Sequence, residues 1–197
     1  VQTCALPIYP VISVNGNTAI LVPEEFVRLA RVSGAQLEIN LFYRQPGREE
    51  AILKVLRRAG AEKVLGVSGK DAVIKELTSD RRIVHPEGIY KADMVFVPLE
   101  DGDRTEALAA LGKRVVTVDL NPLSRTPNRA HVSIIDNITR AVPLLCEYII
   151  KYKGKSRDEL ENIYSAYNNR EMLKKSLLFI SQRLIILSGE METGHGK

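Results

Sequence analysis

The sequence predicts an α/β fold, a Rossmann-like doubly wound and mainly parallel sheet with further helices at the C-terminus. Short β-branched runs alternate with stretches of helical apolar spacing along most of the chain. Glycines and prolines stand where these elements should begin or end. The 197 residues, 45% hydrophobic and 26% charged, suffice for one globular domain with its own core.

Composition and charge narrow the classes of partner. The net charge of +4 is spread along the chain and does not form a basic patch that would indicate a nucleic-acid surface. This charge is equally compatible with an anionic small-molecule substrate. No apolar run is long enough to cross a bilayer, so we expect no membrane partner. Two cysteines and three scattered histidines favour a reducing, cytoplasmic environment without a disulfide or a structural zinc site.

The two ends of the chain differ from what lies between them. Residues 1–8 resemble a non-native leader, residues 9–189 are predicted to form the single α/β domain, and residues 190–197 are predicted to fray. Because a core-type strand follows the leader directly, we expect the natural protein to have a further N-terminal segment. The chain as printed should then be less active than a version that carries this segment.

Six buried strands are predicted from runs of apolar and β-branched residues. They are Pro10–Val14, Gln36–Phe42, Val64–Val67, Asp93–Leu99, Val115–Asp119 and His131–Ile135. Helices are predicted between and after them from apolar spacing, from a proline or capping residue at the start and from a glycine at the end. They run from Pro23 to near Gly34, from about Arg48 to Ala59, from Asp103 to Ala110, from Asp136 to about Tyr152, and onward from Ser156 and from Asn168.

Polar residues follow the first two strands, where ligands bind in open α/β sheets. After the first strand, the amides of Asn15 and Asn17 could donate to an anion, with Gly16 allowing close approach. An ordinary hairpin turn at this Asn-Gly pair is equally open. Arg44 follows the second strand and could bind a phosphate or carboxylate, although a solvated surface arginine is an open alternative.

An acidic loop follows the fourth strand. Asp103 and Glu106 have the spacing of a capping box, which would start the next helix. The capping box does not account for Glu100 and Asp101, and such carboxylates could hold Mg²⁺ or a substrate ammonium group. Arg104 in the same loop could contact a substrate anion.

The loop Asp119–Thr126, after the fifth strand, is the strongest candidate site. Pro122 ends the strand, and Asp119, Asn121 and Arg125 bring a carboxylate, an amide and a guanidinium to one loop. A merely polar connection is the alternative for this loop taken alone. With nothing acidic nearby in sequence, Arg125 is expected to be available for a phosphate.

The last part of the chain is predicted to be helical. Asp136 is the expected N-cap of the long helix, which leaves Asn137 to bind an adenine edge or a phosphate. The final helix has an apolar seam that either packs on the sheet or forms a subunit interface. Its residues are Leu173, Leu177, Ile180, Leu184 and Leu187, widened by Leu178, Ile185 and Ile186.

Five long motifs together resemble one family, the archaeal-type phosphopantothenate synthetases or 4-phosphopantoate–β-alanine ligases. The motifs are Ser13–Asn17, Glu38–Arg44, Pro98–Leu108, Asp119–Thr126 and Ile135–Ile138. The resemblance extends from Tyr9 to the C-terminal helices. It departs from the family pattern mildly at Thr126, where serine is also usual, and at the N-terminus, where the family has a helical part contributing arginines to ATP.

The resemblance implies a homodimeric enzyme of coenzyme A biosynthesis that joins 4-phosphopantoate to β-alanine while ATP is split to AMP and pyrophosphate, with Mg²⁺ expected as the metal. It places ATP contacts at Asp119, Leu120, Asn121, Arg125, Thr126, Asn137 and Ile138. Within that set we assign Arg125 to a phosphate, Asn121 to the reacting centre and Asp119 to the ribose hydroxyls. A non-catalytic nucleotide-sensing protein is the alternative, whereas a dinucleotide-dependent oxidoreductase is disfavoured by the absence of a Gly-x-Gly-x-x-Gly motif.

Overall fold

A computed structural model describes residues 7–67 and 71–193 of the chain. The predicted leader lies outside the described residues except for Pro7 and Ile8. Six strands form one parallel sheet: β1 Pro10–Val14, β2 Gln36–Ile39, β3 Val64–Leu65, β6 Met94–Phe96, β7 Arg114–Asp119 and β8 Val132–Ile135. Their spatial order is β3-β2-β1-β6-β7-β8. The predicted Rossmann-like topology is therefore confirmed.

A smaller antiparallel pair, β4 Ala72–Val73 with β5 Ile83–Val84, lies in the stretch that the sequence leaves irregular. Eight α-helices are present among the described residues. Their bounds are α1 Gly16–Leu21, α2 Pro23–Ser33, α3 Arg48–Arg58, α4 Gly102–Ala110, α5 Arg125–Arg129, α6 Ile138–Tyr152, α7 Arg157–Ser165 and α8 Asn169–Thr193. None of these described helices is long and apolar enough to cross a membrane.

The sheet is covered on both faces, which gives two apolar cores. Helices α2, α3 and α6 cover one face, where Phe26, Leu56 and Val142 are fully buried against strand residues. Helix α4 and the β4–β5 region cover the other face around Leu108 and Ile89. At about 25 cal/mol per Å² of buried apolar area, these two layers supply the main stabilisation of the fold.

The strand order reverses between β1 and β6, which pair in parallel at the centre of the sheet. In open α/β sheets the connections leave in opposite directions at such a point and open a crevice beyond the strand ends. Asn15 follows β1 there, and the loop from Pro98 to Asp101 follows β6. The topology therefore brings two of the predicted polar segments together.

Three helix starts differ from the sequence-based expectation. Asn15 caps α1 by accepting from the Thr18 amide at 3.0 Å, so the hairpin alternative is wrong. Helix α4 is capped by Asp101, which accepts from the Arg104 amide, and not by the Asp103–Glu106 box. Helix α6 is capped by Asn137 instead of Asp136, because the Asn137 side chain accepts from Thr139.

The C-terminal helix α8 is anchored at its start and exposed along most of its length. The Asn169 side chain donates to the carbonyls of Pro127 and Ala130, and Leu173 is buried. Beyond this point Ile180 and Leu184 are exposed, so packing on the sheet is wrong for most of the seam. The helix continues to Thr193, past the position where the sequence predicts a frayed tail.

Candidate active site

Asn15 links the two sides of the central crevice through hydrogen bonds. Its Nδ2 lies 3.3 Å from both the Pro98 and the Leu99 carbonyl oxygens and 3.2 Å from Glu100 Oε1. Its Oδ1 accepts a hydrogen bond from the Thr18 amide, as the N-cap of α1. The buried Asn15 amide therefore fixes the loop after β6 against the end of β1, and the predicted role of Asn15 becomes one of organising the site.

Leu99 adopts a left-handed conformation with φ of 51°, and it is the one non-glycine residue with positive φ among those described. This conformation costs a leucine about 1 kcal/mol or more, so the surrounding structure must hold it. The carbonyl of Leu99 faces Asn15, and its amide donates to Val118 of β7. The strained residue therefore lies in the crevice itself, where functional sites concentrate such strain.

A buried charge network lies beneath this crevice. Arg104 is fully buried, and its Nη1 donates to Ser13 Oγ at 2.8 Å and to Glu100 Oε2 at 3.1 Å. Arg81, in the 3-10 turn before β5, also contacts Glu100 Oε2, and its Nε lies 3.4 Å from Asp101 Oδ2. Burial lowers the pKa of each guanidinium to about 10, so both stay charged at neutral pH.

Glu38 of β2 extends the network across the sheet. Its two carboxylate oxygens accept from the backbone amides of His85 at 2.9 Å and Ile89 at 2.6 Å. Burial nevertheless raises the pKa of Glu38 to about 6, against the opposing effects of these hydrogen bonds and of Arg104 and Arg44. Glu38 is thus a carboxylate held among cations in a low-dielectric interior.

The loop after β7 is built around Asp119. Its Oδ1 accepts from the Asn121 amide at 2.9 Å, and its Oδ2 accepts from the Ser124 hydroxyl at 2.5 Å. Asn121 in turn accepts from the Leu123 amide, while its NH₂ group lies in an exposed side chain. Leu120, with 62% of its surface exposed, stands at the outer edge of the loop. A rigid turn with exposed polar tips is suited to a nucleotide.

The loops after β6 and β7 are in direct contact. The buried Thr126 hydroxyl donates to the Glu100 carbonyl oxygen at 2.7 Å. Gly102 permits this approach, because a Cβ there would lie 2.5 Å from Arg125 Cβ and 2.6 Å from Arg125 Cγ. The predicted nucleotide and substrate segments are therefore adjacent in the fold.

Arg125 has acidic partners, contrary to the sequence-based expectation. Its Nη1 lies 2.5 Å from Asp103 Oδ1, and its Nη2 donates to Glu106 Oε2 at 2.9 Å. These pairs raise the pKa of Arg125 and lower the pKa of Glu106. The two carboxylates come from α4, which the fold brings beside α5, so local sequence gave no sign of them. The Arg125 side chain remains 57% exposed and borders an open cleft of about 320 Å³.

The remaining predicted residues differ in their positions. Asn137 and the buried Ile138 start α6 beside the end of β8, on the same edge of the sheet. Arg44 lies against the β4–β5 region, where its amide donates to Asp80 and its Nη2 to the Ile83 carbonyl. Asn17 is exposed on α1 and is not brought into the network described above.

No group of three or more His, Cys, Asp or Glu side chains suited to a metal ion occurs in the described part of the chain. Asp119 and Asp101 are two of the carboxylates that the strand ends bring to this edge of the sheet, and both are engaged in turn or cap hydrogen bonds. A magnesium ion needs few protein carboxylates when phosphate oxygens supply its other ligands. These residues therefore fit a metal that arrives with a nucleotide better than a resident one.

Two buried residues next to the candidate site were not predicted as site residues. Glu38 lies between the buried apolar residues Leu37 and Ile39, and an acidic side chain at such a position was a usable signal. Arg81 lies in the irregular charged stretch, where nothing in the sequence distinguishes it from neighbouring Arg82. Its role depends on the long-range packing of the β4–β5 region.

Comparisons with known proteins identify close relatives. The family model for phosphopantothenate/pantothenate synthetase matches residues 3–183. The chain is 45% identical over 181 residues to the 4-phosphopantoate–β-alanine ligase of Methanosarcina mazei, covering 92% of this chain and 71% of the relative. It is 50% identical over 183 residues to the ligase of the same name from Thermococcus kodakarensis, covering 92% and 70%.

Proposed function

Because the chain belongs to the phosphopantothenate/pantothenate synthetase family, we propose that it is an ATP-dependent ligase that joins 4-phosphopantoate to β-alanine in coenzyme A biosynthesis. The observation that carries the proposal is the contact between the Asp119–Thr126 loop and the loop after β6, which joins a nucleotide site to a buried arginine site. The amide bond formed makes the enzyme a carbon–nitrogen ligase, and the reaction releases AMP and pyrophosphate.

The chemistry requires activation of a carboxylate. A carboxylate oxygen of 4-phosphopantoate attacks the α-phosphorus of ATP, the bond to the bridging oxygen breaks, and pyrophosphate leaves. The resulting acyl-adenylate is attacked by the amine of β-alanine at its carbonyl carbon, so that AMP leaves and the amide forms. Neither step needs a covalent intermediate on the protein, so the site must mainly align two anions and stabilise charge.

The residues divide these tasks between the two loops. Arg125 and Thr126 lie at the start of α5, where a guanidinium and backbone amides suit the triphosphate. Asn121 is assigned to the reacting centre, Asp119 and Leu120 to the nucleoside, and Asn137 and Ile138 to the adenine or a phosphate. Glu100, Asp101 and Arg104, with Asn15, shape the side of the site that receives 4-phosphopantoate.

We further propose a magnesium ion, a homodimer and a cytoplasmic location for this enzyme. The metal would be held mainly by the triphosphate, with Asp119 and Asp101 as candidate protein ligands, and it would neutralise phosphate charge. The exposed apolar residues of α8 support the dimer. Phosphorylated substrates do not cross membranes, which supports the location.

Turnover distinguishes this proposal from a nucleotide sensor. AMP formation should require ATP, 4-phosphopantoate and β-alanine together, and omission of any one should abolish it. A sensor would bind ATP and leave it intact under the same conditions. Chromatographic separation of AMP, ADP and ATP measures the outcome, and binding of ATP without AMP formation would contradict the proposal.

A further inference from the structure

Helix α5 is too short to hold its own position. It has five residues, Arg125–Arg129, and an isolated helix of that length is not stable in water. Its first two residues are Arg125 and Thr126, which the proposed function assigns to ATP. The Thr126 hydroxyl fixes the start of the helix by donating to the Glu100 carbonyl oxygen at 2.7 Å. The placement of Arg125 and Thr126 therefore also depends on what fixes the other end of α5.

The end of α5 is fixed by a residue that lies about forty positions later in the chain. Asn169, in the first turn of α8, donates through Nδ2 to the Pro127 carbonyl at 2.8 Å and to the Ala130 carbonyl at 3.1 Å. The Ser133 hydroxyl of β8 also donates to the Pro127 carbonyl, at 3.0 Å. The last carbonyls of a helix have no partner within it, so Asn169 supplies donors that α5 itself lacks.

Tyr167 fixes the orientation of the Asn169 amide. Its hydroxyl lies 2.9 Å from Asn169 Oδ1 and accepts from the Ser133 backbone amide at 3.1 Å. Burial raises the pKa of Tyr167, so the hydroxyl keeps its proton and can donate to Oδ1. Because Oδ1 accepts from the tyrosine and Nδ2 donates to two carbonyls, only one orientation of the Asn169 amide satisfies all of these groups.

The same turn of α8 anchors that helix to the domain. Leu173, one turn after Asn169, is buried, whereas most of the later apolar residues of α8 are exposed. Asn168 caps α8, since its Oδ1 accepts from the Glu171 amide at 3.1 Å. Asn169 therefore stands where a long, anchored helix meets the short helix that carries Arg125.

We propose that Asn169 is a positioning residue of the ligase, which holds α5, and with it Arg125 and Thr126, in the position that binds ATP. This inference rests on the proposed function. The side chain of Asn169 contacts the later part of α5 and the residue after it, so it acts through the helix and not through contact with ATP.

Replacement of Asn169 by aspartate tests the proposal. Asn169→Asp keeps the size of the side chain, but a carboxylate cannot donate to the two carbonyls and is repelled by them. An acidic residue in the first turn favours α8 itself, so the helix should remain formed. We expect Kd for ATP, measured by calorimetry, and KM for ATP to rise about five- to tenfold, as for a residue that supports a site without touching its ligand.

The two kinetic constants separate positioning from a merely structural role. A variant that only folds less completely loses kcat in proportion to the unfolded fraction, whereas its folded molecules keep the wild-type KM for ATP. A displaced α5 raises KM for ATP in every molecule. KM for β-alanine at saturating ATP should change little.

Two further variants complete the experiment. Asn168→Asp makes the same change of charge one residue earlier and keeps the cap of α8, so its Kd for ATP should match the wild type. Tyr167→Phe removes only the hydroxyl that orients Asn169, and it should raise Kd for ATP by a smaller factor. This milder variant carries the test if Asn169→Asp does not fold.

The outcomes for the positioning role and for the proposed function are distinct. An unchanged Kd for ATP in both Asn169→Asp and Tyr167→Phe would overturn the positioning role, and so would an equal rise in Asn168→Asp. A wild type that binds ATP without forming AMP would contradict the proposed function, and the ratios of Kd would still decide the role of Asn169.

Discussion

At the residue scale, Arg125 is the side chain whose chemistry is tested most simply. When ATP binds, a phosphate can replace Asp103 and Glu106 as the partner of Arg125. This replacement costs little free energy, because exposed ion pairs contribute little to stability. Arg125→Ala should therefore lower AMP formation by about ten- to a hundredfold, the loss expected for one charge-assisted phosphate contact. Steady-state AMP formation measures the effect, and thermal melting should change little.

Two variants control this experiment. Arg125→Lys should recover part of the activity, since it restores charge without the planar fork. Arg129→Ala removes another exposed arginine of α5 that also pairs with Glu106, and it should leave turnover unchanged. Near-normal turnover in Arg125→Ala would remove Arg125 from the site. A large fall in its melting temperature would make it a structural residue instead.

Glu38 should make the stability of the protein depend on pH. Its pKa of about 6 exceeds the ordinary 4.5, so its contribution is fully present below about pH 4.5 and is lost as the pH rises through 6. The difference corresponds to about 2 kcal/mol in the free energy of unfolding. Between pH 4 and pH 7, the change in the free energy of urea unfolding should be less favourable for the wild type than for Glu38→Gln by about 2 kcal/mol. Equal changes in the two proteins would contradict the assignment.

The sequence predicts individual residues of the candidate site but not their partners. Asp119, Asn121 and Thr126 could be recognised because they follow one strand within a short loop. The Arg125 pairs and the Arg81 contacts join segments separated by about twenty residues in the chain. No periodicity or capping rule encodes such contacts, since they depend on how whole elements pack.

At the element scale, Gly102 controls how closely α4 and α5 approach. A methyl group at this position would meet Arg125 Cβ at 2.5 Å, so Gly102→Ala should separate the two helix starts. The Thr126–Glu100 hydrogen bond should weaken, and kcat/KM for ATP should fall about ten- to a hundredfold. Gly154→Ala is the matched control, because nothing lies within 4 Å of its added Cβ. Equal activity in the two variants would refute this steric role.

Helix α8 should form a subunit interface. Its exposed apolar residues include Leu178, Phe179, Leu184 and Ile185, and covering them would favour association at about 25 cal/mol per Å². We expect a dimer at micromolar concentration in sedimentation equilibrium and a monomer for Leu184→Lys. Lys175→Glu, an exposed polar position of the same helix, should leave the dimer intact. A monomeric wild type would exclude this interface.

Element types could be predicted from the sequence, whereas some helix starts could not. Periodicity and glycines located α2 and α4, which end near Gly34 and Gly112, both with positive φ. The caps at Asp101 and Asn137 were each assigned to a neighbouring acidic residue, because the choice between adjacent capping side chains depends on backbone dihedrals that the sequence does not encode.

At the scale of the whole molecule, the alternation of strands and helices determines where the site lies. Parallel strands end at one edge, so the doubly wound topology places Asn15, Glu100 and Asn121 at that same edge. The antiparallel β4–β5 pair could not be foreseen, because each of its strands has two residues and neither shows a periodic pattern. That region supplies Arg81, which contacts Glu100 and Asp101 in the loop after β6.

The central claim is that a carboxylate is adenylated before the amide bond forms. Exchange of labelled pyrophosphate into ATP measures the first step alone. We expect exchange that requires 4-phosphopantoate and proceeds without β-alanine, because release of pyrophosphate precedes attack by the amine. Absence of exchange under these conditions, in a protein that forms AMP once β-alanine is added, would contradict the adenylate mechanism.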